Sequence, residues 1–419
     1  MKFNFNFPEQ KYSVVLVLLF ALFGAGLTAH ILNLSYFLLL LIAIAKLVSR
    51  SDTGRSFYEL YRQYKVLHWA MASLLLALIL SQAGHGYVDP SPYNPIARLA
   101  TFVLIFWTIQ QLSIEKLSAL RWSWIIGIIA CAVQIYFNPK IGDRPEIENW
   151  YVALASLLGT FSVLSLAWDE RPKKITMCVH FLAGVCGLYI VYVCQTRGVW
   201  LALPFFMLMG YLTFVSHPFS IKKVGVFLTG LIVSAVLFFN TDVAQVRLHQ
   251  AAQDIQIYSV NKDADTSIGV RLQLWRASWI MIKEHPLLGV GAGNHYKEAL
   301  REMVERKVLP TYYNGAHSHN EILYSTATMG ILGFIAILLT YLVPGYYFGK
   351  NLIDQDRQVR AAAAMGCCVC FGFMIFGLAD VLFKYKECEV FYCVSCATMF
   401  SFMMHKKEQL LPPRSPTTK

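Results

Sequence analysis

The amino-acid sequence predicts an all-α protein that crosses a lipid bilayer about twelve times. The chain of 419 residues is 56% hydrophobic and only 15% charged, and its mean hydropathy is +0.49. A soluble protein of this length is rarely so apolar. Apolar runs of about 17–25 residues recur along the chain, each long enough to cross a hydrocarbon core of about 30 Å. These observations indicate a polytopic helical membrane protein.

The spans divide the chain into four parts. Spans one to nine lie within residues 1–240, a long connecting segment covers 241–318, spans ten to twelve lie within 319–404, and a short tail covers 405–419. Long connections with helical patterning of their own are usually functional. The twelve predicted spans cover residues 12–29, 32–48, 66–84, 96–112, 121–137, 149–168, 177–195, 198–216, 224–240, 321–345, 361–379 and 388–404.

The distribution of Lys and Arg predicts the orientation. With the N-terminus in the cytoplasm, 21 of the 36 basic residues fall in inside segments and six in short outside connections. The other nine lie in the long segment, where the positive-inside rule has little weight. Both termini are therefore predicted to be cytoplasmic and the long segment to lie outside. The net charge of +11 is then mostly cytoplasmic loop charge, which argues against a nucleic-acid partner.

The ten cysteines lie within predicted spans or at their ends. Cys393 and Cys396 have the spacing of a redox or metal pair, but inside an apolar helix a small-residue packing face is the favoured interpretation. No other spacing indicates a zinc site.

The long segment is predicted to contain two helices. In GVRLQLWRASWIMIKEHP, Trp275 and Trp279 are four residues apart on one stripe, which suits the headgroup boundary. A second helix is predicted over YKEALREMVERKV, with an i,i+4 pair of Glu302 and Arg306 on one side. These helices can cap the bundle, contact substrate, or do both. Between them, HPLLGVGAGNHY lacks the βαβ context of a nucleotide-binding loop, and a flexible turn is predicted.

The stretch GAHSHNEILYSTATMGILGF begins span ten with polar residues. Ser318 and Glu321 match a capping box, with Ser318 at the N-cap and Glu321 at the third helical position. His319 is then predicted in the first helical turn. The positive end of the helix disfavours an imidazolium there and attracts anions. Gly330 and Gly333 are expected to allow close helix packing.

Three interpretations of His317 and His319 stay open at this point. They can act as a general base and substrate contact, as interfacial polar residues, or as half of a metal site. An H-x-H pair needs further metal ligands, and the long segment offers His249, His285, His295 and several acids.

Two arginines and one aspartate favour the first interpretation. Arg197, in CQTRGVW, is predicted in a tight outside turn, and Arg271, in SIGVRLQLW, begins the tryptophan-bearing helix. Guanidinium groups bind phosphate bidentately and keep their charge. An arginine at a membrane face is costly unless paired, so each is a functional candidate. Asp380, in GLADVLF, ends span eleven on the same face and can pair with an arginine or orient His319. Such a convergence is typical of a diphosphate site.

These residues carry a family resemblance. His319-Asn320 followed nine residues later by Gly330 and Gly333 forms H-N-x9-G-x-x-G, which resembles the signature of O-antigen ligases. The Q-T-R turn with Arg197, the G-x-R-L-x-x-W segment and the L-x-D end of span eleven are also similar to ligase positions. The resemblance runs from about residue 192 to 391; the first half of the chain matches only in hydropathy and span count.

The resemblance implies a GT-C-like arrangement in the inner membrane of a Gram-negative bacterium, with the long segment in the periplasm. Such enzymes transfer a completed glycan from undecaprenyl diphosphate to lipid A-core, with inversion and without a metal or cofactor. It implies that His319 is the base and that Arg197 and Arg271 hold the donor diphosphate, all three as catalytic residues. Further predicted substrate-binding residues are His317, Asn320, Asp380 and Trp275.

Three other functions are alternatives. A polymerase of the same lipid-linked repeat would use another lipid-linked glycan as acceptor. A protein O-oligosaccharyltransferase would usually carry a sizeable soluble C-terminal extension, whereas about 15 residues follow span twelve. A transporter of a lipid-linked anion predicts charged residues in mid-span, but the arginine and aspartate candidates cluster at one face, which favours an enzyme.

Overall fold

The computed structural model describes residues 10–49, 56–138, 140–141, 144–260, 266–310 and 317–411. Almost all of this part is helical, and a two-residue hairpin pairs Lys140–Ile141 with Arg144–Pro145. The helices are α1 (Gln10–Gly24), α2 (Leu32–Ser49), α3 (Phe57–Gln63), α4 (Lys65–His85), α5 (Tyr93–Ala100), α6 (Phe102–Ile109), α7 (Ile114–Phe137), α8 (Asn149–Leu164), α9 (Lys174–Cys194), α10 (Arg197–Phe214), α11 (Ile221–Phe239), α12 (Asp242–Val260), α13 (Ser267–Glu284), α14 (Asn294–Glu305), α15 (Glu321–Gly349), α16 (Arg357–Phe376) and α17 (Lys386–Leu410).

Nine helices of the described part are long and apolar enough to cross a membrane. They are α2, α4, α7, α8 with its short 3-10 extension to Trp168, α9, α10, α11, α15 and α16. This result confirms a polytopic helical membrane protein. The predicted count of twelve spans rests on three further regions, and it stays a prediction.

The three regions are predicted spans one, four and twelve, and each departs from a long apolar helix for a physical reason. Predicted span one is shorter than expected because α1 ends at Gly24. Predicted span four is not one helix, because the chain leaves helical geometry at Thr101 and divides into α5 and α6. Predicted span twelve is α17, which begins with charged residues and is buried from Cys388 to Met404. Protein rather than lipid surrounds α17, so its sequence can be less apolar than that of a lipid-facing span. Cys393 and Cys396 are buried in this packing.

The core lies around α8, α16 and α17, and the lipid-facing helices lie outside it. Of the α8 and α16 spans, 78% is buried, whereas none of α11 is. Small residues allow close helix contact: a Cβ added at Gly159 of α8 would lie 3.1 Å from the Cα of Gly187 in α9. Such small-residue contacts are common where helices associate inside a bilayer.

The long segment forms α12, α13 and α14 and has a small core of its own. Both predicted helices are present, and α12 is an additional helix that the sequence did not indicate. Leu274 and Met281 of α13 pack with Leu300 and Met303 of α14 and with Ala327 of α15. The predicted tryptophan stripe lies beside this packing face, so Trp279 remains 53% exposed. The long segment is therefore seated on α15, next to the start of that helix.

The glycine-rich stretch between α13 and α14 packs against a break in α15. Gly330 has φ 62° and ψ −150°, which interrupts the helix. Around the break, the N–H groups of Val290 and Gly291 donate to the carbonyls of Ala327 and Thr328 at 2.9 and 3.0 Å. The predicted turn is present at residues 286–288, and these backbone hydrogen bonds attach the stretch to α15. Gly330 was predicted to allow close helix packing. In the structure it also supplies a backbone conformation that is essentially restricted to glycine.

Candidate functional site

The start of α15 is capped by Asn320 and not by Ser318. The Asn320 Oδ1 accepts a hydrogen bond from the Leu323 N–H at 3.0 Å. Ser318 Oγ instead donates to the Asn320 carbonyl at 2.6 Å and accepts from its N–H at 3.3 Å. The predicted capping box is therefore wrong by two positions. Glu321 becomes the first helical residue, and its carboxylate accepts from the Phe383 N–H at 2.9 Å.

His319 lies immediately before the cap and outside the helix. Its φ of 49° is in the left-handed region, which few non-glycine residues adopt. The prediction that His319 sits in the first helical turn is wrong, because this sharp bend moves the cap to Asn320. Backbone strain of this kind persists where the surroundings fix it, and it is common at functional sites.

Asp380 joins the two histidines into a histidine–aspartate cluster, defined by His317, His319 and Asp380. The Asp380 Oδ1 lies 3.6 Å from His317 Nε2 and 3.6 Å from His319 Nδ1. The same oxygen accepts a hydrogen bond from the Val381 N–H at 2.8 Å. Burial by itself would raise the pKa of Asp380, but the two histidines and this N–H outweigh it, and the pKa lies below its ordinary value. Asp380 is therefore a carboxylate at neutral pH.

The hydrogen bonds assign a tautomer to His317. The His319 N–H donates to His317 Nδ1 at 3.2 Å, so Nδ1 is a lone-pair acceptor and the proton of the neutral ring is on Nε2, facing Asp380. Burial, followed by the charge of His319, lowers the pKa of His317. His317 is thus a neutral ring that donates toward Asp380.

The three side chains also offer ligand atoms within 4.8 Å of one another, which is close enough to consider a metal ion. His249 and His285, two of the additional ligands considered from the sequence, are exposed, and His295 pairs with Glu298 at 3.3 Å. A neutral His317 carries its proton on Nε2, so that atom cannot coordinate a metal while the His319 N–H occupies Nδ1. The geometry favours a proton-handling cluster over a metal site.

Arginines from three helices line a cavity of about 450 Å³ beside this cluster. Arg197 is the first residue of α10, Arg271 lies near the start of α13, and Arg247 comes from α12. Asp380 lies on the same cavity wall. Burial, followed by the charge of Arg197, lowers the pKa of Arg271, while Asp380 opposes the shift. We call this space the arginine cavity.

Arg247 was missed by the sequence reasoning. Its Nε donates to Gln195 Oε1 at 2.8 Å and its Nη1 donates to Gln250 Oε1 at 2.9 Å. The contact with Gln195 connects α12 to the turn before α10, whereas Gln250 lies within α12. The sequence of α12 mixes polar and apolar residues and matches no motif. Only the tertiary fold therefore reveals that Arg247 faces the same cavity as Arg197 and Arg271.

Two predicted substrate-binding residues have other positions. The side-chain oxygen of Asn320, Oδ1, caps the start of α15. Trp275 lies on α13 one turn beyond Arg271 but is not among the residues that line the arginine cavity. Substrate contact by Asn320 or Trp275 stays a prediction. The other five predicted site residues, from four distant parts of the sequence, lie in the cluster or on the cavity wall.

Comparison with known proteins points to one family. The profile of a family described as O-antigen ligase matches residues 182–338. The chain is 22% identical to an O-antigen ligase of Escherichia coli K12 over 310 residues, covering 71% of this chain and 69% of that protein.

Two further relatives align over most of their length. An O-antigen ligase of Salmonella typhimurium is 25% identical over 353 residues, covering 80% of this chain and 81% of the relative. An uncharacterized protein of Haemophilus influenzae is 24% identical over 328 residues, covering 76% of this chain and 80% of the relative. The matched region contains Arg197, Arg271, His319 and both signature glycines. Together, the profile match and the long alignments support membership of the O-antigen ligase superfamily.

Proposed function

We propose that this protein is an O-antigen ligase that transfers a glycan from undecaprenyl diphosphate to lipid A-core. The reaction would occur on the periplasmic face of a bacterial inner membrane, with both chain termini in the cytoplasm. One observation carries the proposal: Asp380 lies on the wall of the arginine cavity and within 3.6 Å of both histidines. Charge stabilisation and proton transfer can therefore act at the same place.

In this proposal the arginine cavity binds the donor diphosphate. Arg197 and Arg271 are held in place by helix starts, and Arg247 is oriented by two glutamines. Charge-assisted and bidentate hydrogen bonds from guanidinium to phosphate are among the stronger polar contacts in proteins. Negative charge on the departing diphosphate increases as the glycosidic bond breaks, and fixed cations stabilise that charge in the transition state. The arginines supply this stabilisation without a divalent cation.

His319 is the proposed general base. With Nδ1–H directed at the Asp380 carboxylate, Nε2 holds the free lone pair. The acceptor hydroxyl oxygen attacks the anomeric carbon, its proton passes to His319 Nε2, and the bond from that carbon to the diphosphate oxygen breaks. The products are an inverted glycosidic bond and undecaprenyl diphosphate. General base assistance contributes about 10²–10⁴-fold, and the 3.6 Å contacts are of the kind that shorten when substrate binds.

Lipopolysaccharide laddering tests this proposal. A ligase-deficient host that makes a compatible lipid-linked donor would express wild type, His319→Ala, or His249→Ala as a matched control from exposed helix α12. Ladders with wild type and the control, but not with His319→Ala, are expected at equal membrane levels. A bare core with wild type would favour transfer to another lipid-linked glycan or to protein. Full ladders with His319→Ala would show that the base is another residue.

A further inference from the structure

A second cavity, of about 470 Å³, lies on the other side of the chain segment that carries Asp380. Asp380 and Leu382 line the arginine cavity, whereas Val381, Phe383 and Lys384 line the second one. Alternate residues of one short segment thus form a shared wall between two cavities of similar volume. Asp380, on the arginine-cavity side, is therefore next in sequence to Val381, which lines the second cavity.

Lysines give the second cavity its charge, and we call it the lysine cavity. Lys297 of α14, Lys384 and Lys386 line it. Lys386 is near Glu387, with Nζ 3.9 Å from Oε1, and Glu387 also accepts from Asn33 Nδ2 at 3.2 Å.

Two lysines from separate elements face the same space, since Lys297 of α14 and Lys384 both line the lysine cavity. Burial, followed by the charge of Lys297, lowers the pKa of Lys384, and Asp380 opposes this shift. The Glu321 carboxylate also lines the cavity and accepts a hydrogen bond from the Phe383 N–H. An anion that enters the cavity could contact both ammonium groups.

The other walls of the lysine cavity suit a sugar chain. The partly exposed rings of Tyr324 and Tyr385 line the cavity, and the apolar faces of sugar rings can pack on them. The side chains of Ser91 and Asn94 supply polar groups at the edge. A mainly apolar cavity with a few polar groups is typical of small-molecule sites. Lysine offers a compact point charge instead of a planar fork, so it suits isolated anionic groups, whereas arginine suits the fixed geometry of a diphosphate.

We propose that the lysine cavity binds the acceptor, as an anionic saccharide whose charge contacts Lys297 and Lys384. This inference rests on the proposed ligase function, and it assigns donor and acceptor to opposite sides of the Asp380–Lys384 segment. The acceptor hydroxyl would reach the histidine–aspartate cluster from the side away from the arginines.

Initial-rate kinetics with full-length protein in nanodiscs test the assignment. The double variant Lys297→Gln with Lys384→Gln would be compared with wild type and with Lys283→Gln, an exposed lysine on α13. Loss of two contacts to a charged group is expected to raise the acceptor KM by at least about tenfold, with the donor KM within about twofold of wild type. A dephosphorylated acceptor identifies the anion. If removal of phosphate raises the acceptor KM of wild type as much as the double substitution does, the anionic group is a phosphate. If the acceptor KM of wild type does not change, the anionic group is a carboxylate.

Binding of lipid A-core without donor separates this inference from the proposed function. Weaker binding by the double variant, but not by Lys283→Gln, supports the lysine cavity as the acceptor site. Equal binding by all three proteins, or a raised donor KM in the double variant, overturns that assignment even if wild type ligates. Absence of transfer by wild type that binds lipid A-core refutes the ligase proposal instead.

Discussion

The histidine–aspartate cluster and the arginine cavity are adjacent but differ in construction. In the cluster, the side chains of His317 and Asp380 are 8% and 10% exposed, and backbone N–H groups fix both of them. The cations of the arginine cavity come from three helices, and two of these, α12 and α13, belong to the long segment between α11 and α15. The cluster is built for a fixed tautomer, and the cavity is built to admit a charged ligand.

This difference predicts which substitutions should affect proton transfer and which should affect binding of the donor. A proton-transfer group depends on which atom carries the hydrogen, so small chemical changes in the cluster should reduce kcat. An arginine that contacts the diphosphate in the bound donor and also stabilises its growing charge should affect both the donor KM and kcat. The predictions below test this division, beginning with the largest effect.

Asp380→Asn should lower kcat by about 10²–10⁴-fold. The amide can donate toward His319 Nδ1, which would place the imidazole proton on Nε2 and remove the base. The measurement is the initial transfer rate at saturating donor and acceptor. Glu302→Gln, at an exposed position of α14, is the matched control and should keep wild-type rates. A kcat of the Asn variant within about threefold of wild type would mean that Asp380 does not set the tautomer.

Arg271→Lys should raise the donor KM by about tenfold or more, because the charge stays but the bidentate fork is lost. Arg247→Gln should have a smaller effect of the same kind, since Arg247 already donates to Gln195 and Gln250. Arg276→Gln, an exposed arginine on α13, serves as the control. Donor titrations at fixed acceptor give these values. Unchanged donor KM in both cavity variants would move the diphosphate site elsewhere.

His317→Gln should change the pH dependence of stability more than the rate. Gln offers an acceptor for the His319 N–H and a donor for Asp380, so kcat should fall by less than about tenfold. The folded-state pKa of His317 is depressed by burial. Stability is therefore fully present above the unfolded pKa of about 6.5 and decreases as the pH falls below it.

The measurement for this variant is the unfolding temperature between pH 7.5 and 5. The unfolding temperature of wild type should fall more over that range than that of His317→Gln. In wild type the unfolded chain gains a proton at His317, whereas the buried ring of the folded protein stays neutral. His249→Gln, an exposed histidine, should follow wild type. Parallel curves for wild type and His317→Gln would indicate that His317 is accessible to solvent and protonates freely.

The sequence predicted the membrane fold class and five side chains that the fold brings together in the candidate site, but not the local geometry. Residue types such as His319, Arg197 and Arg271 are informative because a charged or titratable group at a membrane face is costly without a function. The helix cap was misassigned because Ser318 and Asn320 are both good N-caps. The choice between them depends on the left-handed bend at His319. The contacts around that bend, from His319 to Asp380 and from Glu321 to Phe383, join residues that are distant in sequence.

Gly330 and Arg247 have structural roles that the sequence did not predict. A glycine in an apolar helix reads as a packing residue, whereas Gly330 breaks α15 so that the 286–291 stretch can pair with it. That pairing is non-local and leaves no periodic signal. Arg247 belongs to α12, which lacks a motif, and its role depends on where α12 packs. The lysine cavity is likewise formed by side chains from separate helices and was not predicted.

Chelation is the prediction with the smallest expected effect, since we expect none. Treatment with a strong chelator should leave the transfer rate within about twofold of the untreated enzyme, because the arginines supply the cationic stabilisation and the His317 proton occupies Nε2. Added zinc should inhibit only if it displaces that proton. A chelator-induced loss that zinc or magnesium restores would instead assign His317, His319 and Asp380 to a metal site, which their 4.8 Å spacing permits. Asp380→Asn would then abolish metal binding measured without substrate, a readout that a proton-handling cluster would not produce.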